Sequence, residues 1–160
     1  MRVGMGFDIH RLKAGRPLIL GGVKIPAPKG LDGHSDADVL LHALCDALLG
    51  SIGEGDIGTY FSDTDPKWKD APSRAFVEKA LELVKGRGLA VVNADFTVVA
   101  EEPKLAPHRP AIQEALAKLL CVAPDRVNLK AKTMEGLGPI GEGQAIGCYA
   151  VVLLESNGAR

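Results

Sequence analysis

The pattern of hydrophobic and polar positions predicts one long helix within residues 34–50. Positions 39–49 are apolar apart from a polar row, Asp38, His42 and Asp46, that begins just before them and runs through them. The row has a spacing of four, so its three side chains share one face of the helix. Charged groups on a mostly apolar helix are costly unless they are paired or bind a metal ion. The row indicates either a binding site or the exposed polar face of an ordinary amphipathic helix.

Polar residues and a glycine mark the ends of this helix. Ser35 or Asp36 is the expected N-cap, which puts Asp38 in the first turn. Gly50 is expected to end the helix in the left-handed conformation. His34 then lies outside the helix, where it can be a metal ligand or a substrate contact.

A second group of polar residues follows the first predicted strand, residues 2–7. Asp8 and His10 are two positions apart, so an extended chain presents both side chains on one side. Together with His42 they offer one oxygen and two nitrogen ligands, and three protein ligands with a vacant position are typical of catalytic zinc. Ligands of these types also suit manganese or iron. Asp46, one turn after His42, is a candidate to orient its imidazole.

Glycines and irregular stretches divide the following part of the chain. Residues 17–25 predict a β-hairpin with Gly21 and Gly22 at its turn, and residues 26–33 predict a loop. Residues 51–72 have no clear periodicity, and irregular segments of that length are usually functional or disordered. We interpret this segment as a lid or a polyol-binding loop, with ordinary turn chemistry of its Asp and Gly residues as the alternative.

Helices and strands alternate in the second half. Amphipathic patterns predict helices over residues 73–85 and 110–120, with strands in residues 89–100 between them. The loop of residues 101–108 contains two prolines, which are expected to hold it extended and to leave backbone groups unpaired. Such a loop can recognise the edge of a base or serve only as a connector.

Two more strands complete the predicted fold. Residues 126–133 alternate, with Val127, Leu129 and Ala131 on the buried side. Residues 145–154 are nearly all apolar, as in a strand that is buried or lies at a subunit interface. The order of elements predicts an α+β fold with a mixed β-sheet and helices packed on one face.

The turn before the last strand contains a G-x-G-x-x-G pattern at residues 136–141. That pattern binds dinucleotides only where a helix follows, and Pro139 with the nearby glycines is expected to forbid one. We therefore predict a turn with glycines at special backbone angles. Just before it, Lys132 and Thr133 are candidates to hold phosphate, and Glu135 is a candidate ligand for a second cation.

Composition narrows the possible partners. With 160 residues, 46 % of them hydrophobic, the chain is expected to form a single domain over residues 1–160. A net charge of −1 and 4 % aromatic residues argue against nucleic-acid partners. No apolar run predicts a membrane span or a signal peptide. Cys45, Cys121 and Cys148 are expected to be small buried side chains in a reducing compartment, which points to the cytoplasm.

Taken together, several short motifs resemble those of the 2-C-methyl-D-erythritol 2,4-cyclodiphosphate synthase family, which acts in non-mevalonate isoprenoid synthesis. They occur in family order and spacing over nearly the whole chain. Their combination is far more specific than any one of them. The matching stretches are residues 6–10 (GFDIH), 34–38 (HSDAD), 41–44 (LHAL), 55–58 (GDIG), 61–66 (FSDTDP), 102–104 (EPK) and 130–138 (KAKTMEGLG).

The resemblance implies a cytidine diphosphate substrate, 4-diphosphocytidyl-2-C-methyl-D-erythritol 2-phosphate. Its 2-phosphate attacks the β-phosphorus, CMP leaves, and a cyclic diphosphate forms. The resemblance also implies a homotrimer with its active sites between adjacent subunits. Two divalent cations would neutralise the anions that must meet, and the segment of residues 51–72 would exclude water as a lid.

The resemblance also implies a role for individual residues. The implied metal ligands are Asp8, His10 and His42 for Zn²⁺ and Glu135 for Mg²⁺ or Mn²⁺. The implied catalytic residues are His34 and Thr133. The implied substrate-binding residues, divided between two adjacent subunits, are Asp8, His10, His34, Ser35, Asp56, Ile57, Gly58, Phe61, Asp63, Ala100, Pro103, Lys104, Leu105, Ala106, Ala131, Lys132, Thr133 and Glu135.

The chain departs from some family members at two places. Lys132 stands where some members have Thr, and it either adds a phosphate contact or is a solvated lysine. Pro139 and Glu142 stand where some members have an aromatic residue and an arginine, which is linked there to an anion or isoprenoid diphosphate in the central cavity of the trimer. Because Glu142 has the opposite charge, we predict that no diphosphate binds there in that way.

Two other functions compete with the cyclase. A metal-dependent phosphohydrolase would use water as the nucleophile and release phosphate or CMP without forming a ring. A non-catalytic trimeric nucleotide- or metal-binding module would close its zinc site with a fourth protein ligand, for which His34 is the candidate, and would unfold without metal.

Overall fold

The secondary structure is described for residues 1–62 and 64–158 of a computed structural model. Within this part, the strands are β1 (Arg2–Ala14), β2 (Leu18–Leu20), β3 (Val23–Ile25), β4 (Lys29–Leu31), β5 (Leu89–Val99), β6 (Val127–Lys132) and β7 (Ala145–Ser156). The α-helices are α1 (Val39–Ser51), α2 (Ile57–Tyr60), α3 (Arg74–Gly86), α4 (Arg109–Leu120) and α5 (Gly138–Gly141). None of the helices described is long and apolar enough to cross a bilayer.

One mixed sheet forms the frame of the fold, with the strand order β4-β1-β7-β5-β6. β5 and β6 are parallel, and the other neighbours are antiparallel. This confirms the predicted mixed α+β architecture, and the predicted hairpin is present as β2 and β3. β4 was missed, because residues 26–33 were expected to be a loop. Its three residues instead pair with the end of β1, which extends beyond the predicted residues 2–7.

Two glycines allow β1 to lie directly against α1. A Cβ at Gly4 would lie 1.9 Å from the backbone oxygen of Ala47, and one at Gly6 would lie 2.0 Å from that of Ala43. Any larger residue would therefore push the strand and the helix apart. Asp8 and His10 follow these glycines in the middle of β1, and the carboxylate of Asp8 lies 3.1 Å from Nδ1 of His42 on α1.

The other face of β1 and β7 is apolar and exposed. Its residues alternate with the buried positions along β1 and pair across to β7, so that Phe7 lies opposite Tyr149 with ring centroids 4.6 Å apart. Their exposed fractions range from 39 to 67 %. They are Val3, Met5, Phe7, Ile9, Tyr149 and Val151. We call this set the outer apolar face.

α1 begins two or three residues later than predicted, because its N-cap is Asp38 rather than Ser35 or Asp36. The Asp38 carboxylate accepts from the backbone N–H of Leu41 at 3.2 Å, as an N-cap does. It also accepts from the turn of the β2–β3 hairpin, where the N–H groups of Gly21 and Gly22 lie 2.9 and 2.7 Å away. Burial raises the pKa of Asp38 to about 6, and these backbone donors oppose the shift. Asp38 therefore fixes the start of α1 to the hairpin.

The end of α1 and the segment after it also differ from the prediction. Gly50 lies inside the helix, which ends at Ser51, and the left-handed glycine is Gly53 with φ of 73°. The segment of residues 51–72, which was expected to be irregular, contains α2 and a 3-10 turn over Pro66–Trp68. Helices of three or four residues are too short to produce a periodic pattern of apolar positions, so the sequence did not predict them.

Three smaller expectations need correction. Ala131 is exposed, because the buried side of β6 ends at Leu129. Residues 138–141 form the single helical turn α5 although a helix was thought to be forbidden, and β7 follows it almost at once. Cys121 is exposed, whereas the other two cysteines are buried, and burial raises the pKa of Cys45 to about 12.

Candidate functional site

A cavity of about 530 Å³ lies where the middle of β1, the first turn of α1 and described residues of the segment 57–68 meet. It combines metal-binding, polar and aromatic side chains. Its lining residues are Asp8, His10, Gly33, His34, Ser35, His42, Ile57, Gly58, Phe61, Ser62, Trp68 and Phe76. Eight of the residues that the sequence assigned to metal or substrate therefore share a cavity with one another.

Asp8, His10 and His42 form a compact group in this cavity, as predicted. Oδ2 of Asp8 lies 2.9 Å from Nδ1 of His10 and 3.1 Å from Nδ1 of His42. One potential ligand atom from each residue lies within 4.8 Å of the others. Burial opposes the charge on Asp8, but the two nearby imidazoles outweigh it and lower the pKa of Asp8 below its usual value. The group thus presents an ionised carboxylate between two imidazole rings.

An unsatisfied nitrogen in this group indicates a missing ligand. Among the residues described, Nδ1 of His10 is buried and makes no hydrogen bond of acceptable geometry, although Oδ2 of Asp8 lies 2.9 Å away. Buried polar atoms are nearly always satisfied, because an orphaned one costs about 1–3 kcal/mol. A cation held by Asp8, His10 and His42 would satisfy it, and one oxygen with two nitrogen atoms is a donor set that zinc accepts.

His34 lines the same cavity but is engaged elsewhere. Its Nε2 lies 3.0 Å from the backbone oxygen of Asp65, and its side chain is not part of the compact ligand group. This arrangement does not support a closed four-ligand site with His34. His34 is instead placed to contact whatever enters the cavity.

Asp46 does not orient His42, and that prediction was wrong. Its Oδ1 accepts from the backbone N–H of Ile57 at 2.8 Å, which fixes the start of α2 to α1, and burial raises the pKa of Asp46. The Nε2 of His42 instead lies 2.8 Å from the hydroxyl of Ser73 and 3.0 Å from that of Ser35. Ser73 was missed because it is 31 residues from His42, and no local spacing connects them.

The described residues of the segment after α1 line one side of the cavity with polar and aromatic groups. Asp56 caps α2 by accepting from the N–H and hydroxyl of Thr59, both at 3.1 Å. Phe61 stacks on Phe76 with ring centroids 4.5 Å apart, and Trp68 packs edge-on against both rings. These contacts are consistent with a cover over the cavity. Asp63, the other predicted substrate ligand of this segment, lies outside the described residues.

The remaining predicted residues form a second group at the ends of β5 and β6. The N–H of Ala100 donates to the backbone oxygen of Lys132 at 2.9 Å, and the N–H of Met134 donates to the carboxylate of Glu101 at 2.7 Å. The Thr133 hydroxyl donates to the Glu135 carboxylate at 3.1 Å. The predicted nucleotide loop and the predicted phosphate turn are therefore joined. Glu101, which joins them, was missed because its partner is 33 residues away.

The two groups do not meet within one chain. Across the sheet, Asp8 pairs with Cys148, Cys148 with Val98, and Val98 with Ala131. Three strand spacings therefore separate Asp8 from Ala131, or about 14 Å. None of the residues described in 100–106 or 131–135 lines the cavity. The candidate residues of one chain thus form two separate groups, which we call the metal half and the nucleotide half after the ligands that the sequence assigned to them.

Sequence comparison connects the chain with proteins of known name. The sequence model of the YgbB family matches residues 1–155. A 2-C-methyl-D-erythritol 2,4-cyclodiphosphate synthase from Gloeobacter violaceus is 59 % identical over 155 residues, which are 97 % of this chain and 95 % of that protein. The similarity thus extends over nearly the full length of both.

Structural comparison gives the same result. A solved 2C-methyl-D-erythritol-2,4-cyclodiphosphate synthase in its CDP-bound form has a TM-score of 0.89 and 45 % identity, over 96 % of this chain and 100 % of that one. The bifunctional IspDF from Campylobacter jejuni has a TM-score of 0.93 and 41 % identity. The match covers 97 % of this chain but only 42 % of the bifunctional chain.

Proposed function

The chain belongs to the YgbB family of 2-C-methyl-D-erythritol 2,4-cyclodiphosphate synthases, and we propose that it carries out their reaction with its two half-sites. The enzyme is a lyase of non-mevalonate isoprenoid synthesis that acts on a phosphorus–oxygen bond. It converts 4-diphosphocytidyl-2-C-methyl-D-erythritol 2-phosphate to the 2,4-cyclodiphosphate and CMP. The observation that carries the assignment of the site is the compact, largely buried group of Asp8, His10 and His42 in the cavity.

Zn²⁺ is the proposed occupant of the metal half, held by Asp8, His10 and His42. The unsatisfied His10 nitrogen and the ionised Asp8 carboxylate support a cation at this position. When bound, the ion would offset negative charge on the reacting phosphates. Glu135 is the proposed ligand for Mg²⁺ or Mn²⁺ in the nucleotide half, where its exposed carboxylate accepts from the Thr133 hydroxyl at 3.1 Å through one oxygen.

The chain's own residues have the tasks of binding, orientation and exclusion of water. The 2-phosphate is already an anion, so its oxygen can form the new bond to the β-phosphorus without a base, and the bond to the departing CMP oxygen breaks. His34, Ser35, Asp56, Ile57, Gly58, Phe61 and Asp63 are proposed to hold the methylerythritol phosphate. Orientation of this kind can remove several kcal/mol of barrier. The aromatic contacts of Phe61 support a cover that favours cyclisation over hydrolysis.

The nucleotide half is proposed to bind the cytidine diphosphate part. Its backbone-rich loop would hold the cytosine, and the turn after β6 would hold the phosphates. The proposed residues are Ala100, Pro103, Lys104, Leu105 and Ala106 for the base, and Ala131, Lys132, Thr133 and Glu135 for the phosphates. His34 and Thr133, one from each half, are the proposed catalytic residues that contact the reacting phosphates.

A homotrimer is proposed because it would bring the two half-sites of neighbouring subunits together. The outer apolar face supports this, since a continuous set of large exposed hydrophobic side chains is typical of an interaction surface. A cyclic arrangement puts a different surface of each subunit against its neighbour, so a metal half can meet a nucleotide half three times. We further propose that residues 1–160 act as one domain and that the enzyme is cytoplasmic. Because Glu142 is acidic, we also propose that no diphosphate binds in the central cavity in the way that is linked to an arginine in some family members.

Phosphorus NMR of the purified protein with its substrate and Mg²⁺ tests the reaction. We expect equal amounts of CMP and cyclic diphosphate, and loss of both when a zinc chelator is added. CMP with a linear diphosphate would instead identify a phosphohydrolase. Nucleotide binding without turnover would identify a binding module.

Reassembly of two inactive variants tests the shared active site. His42→Ala disables the metal half, and Glu135→Gln disables the nucleotide half. If each site uses one half from each of two subunits, a 1:1 mixture that has been dissociated and reassembled should recover about one quarter of the wild-type activity. The same variants mixed without dissociation serve as the control. Failure to recover activity in reassembled trimers would place both halves of each site in one subunit.

A further inference from the structure

A chain of buried hydrogen bonds connects His42 to a carboxylate that does not touch the metal half. Ser73 is fully buried, and its hydroxyl lies 2.8 Å from Nε2 of His42. On its other side the same hydroxyl donates to Oδ1 of Asp36. Asp36 is held in place in turn, because Oδ2 accepts from the N–H of Ser73 at 3.1 Å and Oδ1 accepts from the N–H of Asp38 at 3.2 Å.

The protons in this chain can be counted. A carboxylate only accepts, and a serine hydroxyl has one proton. Because Ser73 gives its proton to Asp36, its oxygen can only accept from His42, so Nε2 of His42 must carry a proton. In a neutral imidazole the other nitrogen then has a free lone pair. That nitrogen, Nδ1, is the one that faces Asp8 at 3.1 Å.

Ser35 fits the same arrangement. Its hydroxyl lies 3.0 Å from Nε2 of His42 and 3.3 Å from the hydroxyl of Ser73, and it accepts from the N–H of Ala37 at 3.1 Å. Its proton can go to Ser73, whose oxygen has a second lone pair. The opposite tautomer would direct the lone pair of Nε2 at the oxygen of Ser73 across 2.8 Å, which is unfavourable. The proposed tautomer directs the lone pair of Nδ1 at Oδ2 of Asp8 across 3.1 Å, and a cation bound by both atoms would relieve that repulsion.

We propose that Asp36 and Ser73 are positioning residues that fix His42 in the tautomer with a proton on Nε2 and so direct the lone pair of Nδ1 toward a metal ion. The inference deepens the proposed function and rests on its zinc site. A histidine ligand usually donates its second N–H to a carboxylate or an oxygen atom that orients it. Here a buried hydroxyl relays that role to a carboxylate.

The same residues fasten the end of the segment that covers the cavity. The N–H of Asp36 donates to the backbone oxygen of Ala71 at 3.1 Å, and the N–H of Asp70 donates to that of His34 at 2.8 Å. Ser73 follows directly after this segment. The position of the cover and the orientation of His42 therefore depend on one shared set of hydrogen bonds.

The test measures the tautomer of His42 by ¹⁵N NMR of labelled histidine in zinc-free protein that carries Asp8→Ala, so that no carboxylate competes for a proton on Nδ1. The signal is assigned by its absence when His42→Ala is added. We expect protonation at Nε2 in this background and a mixture of tautomers when Ser73→Ala or Asp36→Ala is added, whereas zinc affinity is measured with Asp8 intact. Asp36→Asn keeps one acceptor oxygen and should lie between wild type and Asp36→Ala. Zinc affinity, from competition with a chelator, should fall by about 10–100-fold in the two alanine variants.

Ser51→Ala is the matched control. Ser51 is also a buried serine, at the end of α1, but its hydroxyl donates only to the backbone oxygen of Leu48 at 2.6 Å. This variant should lose stability without a change in tautomer or zinc affinity. The proposal is overturned if Ser73→Ala and Asp36→Ala keep the wild-type tautomer, or if their zinc affinity equals that of Ser51→Ala. Wild-type protein that binds no zinc would contradict the proposed function, whereas the tautomers would still test the relay.

Discussion

The two half-sites are constructed in opposite ways. In the metal half, Asp8, His10 and His42 project from a long strand and a long helix, and their side chains are only 11–25 % exposed. In the nucleotide half, the candidate residues lie in a loop and a turn. Both Lys104 and Glu135 are exposed there. One half is fixed by the core of its own chain, and the other presents its groups to the outside.

This difference shows which part of the site one subunit can complete alone. Gly4 and Gly6 allow β1 to lie directly against α1, so the proposed metal ligands come together when the core forms. The nucleotide half is held by surface contacts, such as that between Glu101 and the N–H of Met134. We therefore expect metal binding to depend on the fold and catalysis to depend on assembly. The following predictions test that distinction.

The largest effect should come from the metal half. His42→Ala removes a ligand and leaves Asp8 and His10 too few to hold the ion. We expect loss of bound zinc and at least about a 1,000-fold fall in turnover, since a metal ion contributes several kcal/mol to such a step. Metal analysis and the CMP assay measure both, and size-exclusion chromatography should still show the trimer. His108→Ala, a histidine outside the cavity, is the control, and unchanged zinc in His42→Ala would show that the ligand set is wrong.

A charge in the outer apolar face should have the next largest effect, and it should remove most of the turnover without abolishing zinc binding. Met5→Lys places an ammonium group in the outer apolar face, where burying it unpaired costs several kcal/mol. We expect ultracentrifugation to show monomers that retain zinc but have lost most of their turnover. Ala123→Lys adds the same charge at an exposed position outside β1 and β7 and should remain trimeric and active. A trimer of Met5→Lys would show that this face is not the interface, and a zinc-free monomer would show that the metal half is not self-contained.

The sequence predicted the metal half better than its surroundings, for a physical reason. Spacings of two in a strand and four in a helix put Asp8 with His10 and orient His42, because regular elements repeat. The strands and the longer helices were found by the same periodicity. β4, α2 and α5 have three or four residues each, too few to show a period.

Contacts between distant segments were outside the reach of such patterns. Ser73 and Glu101 act on residues more than 30 positions away, and only the folded chain brings them together. Asp46 shows the opposite error, since its spacing from His42 is correct for one helix face. Its carboxylate nevertheless turns to the N–H of Ile57, because the unpaired start of α2 lies within reach. The meeting of the two half-sites, if they belong to different subunits, is likewise not encoded in any local pattern.

A smaller effect is expected for Asp46. Asp46→Ala removes the acceptor of the Ile57 N–H, so α2 and its cavity-lining residues should loosen while His42 stays in place. We expect zinc affinity to change by less than about twofold, the range of a residue that does not contact a ligand, in contrast to Ser73→Ala. The KM for substrate should rise, and hydrogen exchange at Ile57 should accelerate. A tenfold loss of zinc affinity would restore Asp46 as a partner of His42.

The smallest effect on the site itself is expected for Asp38, whose carboxylate fixes the start of α1 to the β2–β3 hairpin. Burial raises its pKa to about 6 despite three backbone donors, whereas an unfolded chain has a value of about 3.9. Between these values the folded protein holds a proton that the unfolded chain has released. The carboxyl group therefore favours the folded state at low pH, and this contribution is lost as the pH rises from about 4 to about 6.

Asp38→Asn cannot titrate, so it serves as the reference. In chelator and at fixed protein concentration, the free energy of unfolding of the wild type should fall by about 2–3 kcal/mol relative to Asp38→Asn over that range, as two pKa units imply. Parallel pH profiles would show that Asp38 stays ionised, so that the N–H groups of Gly21, Gly22 and Leu41 outweigh its burial.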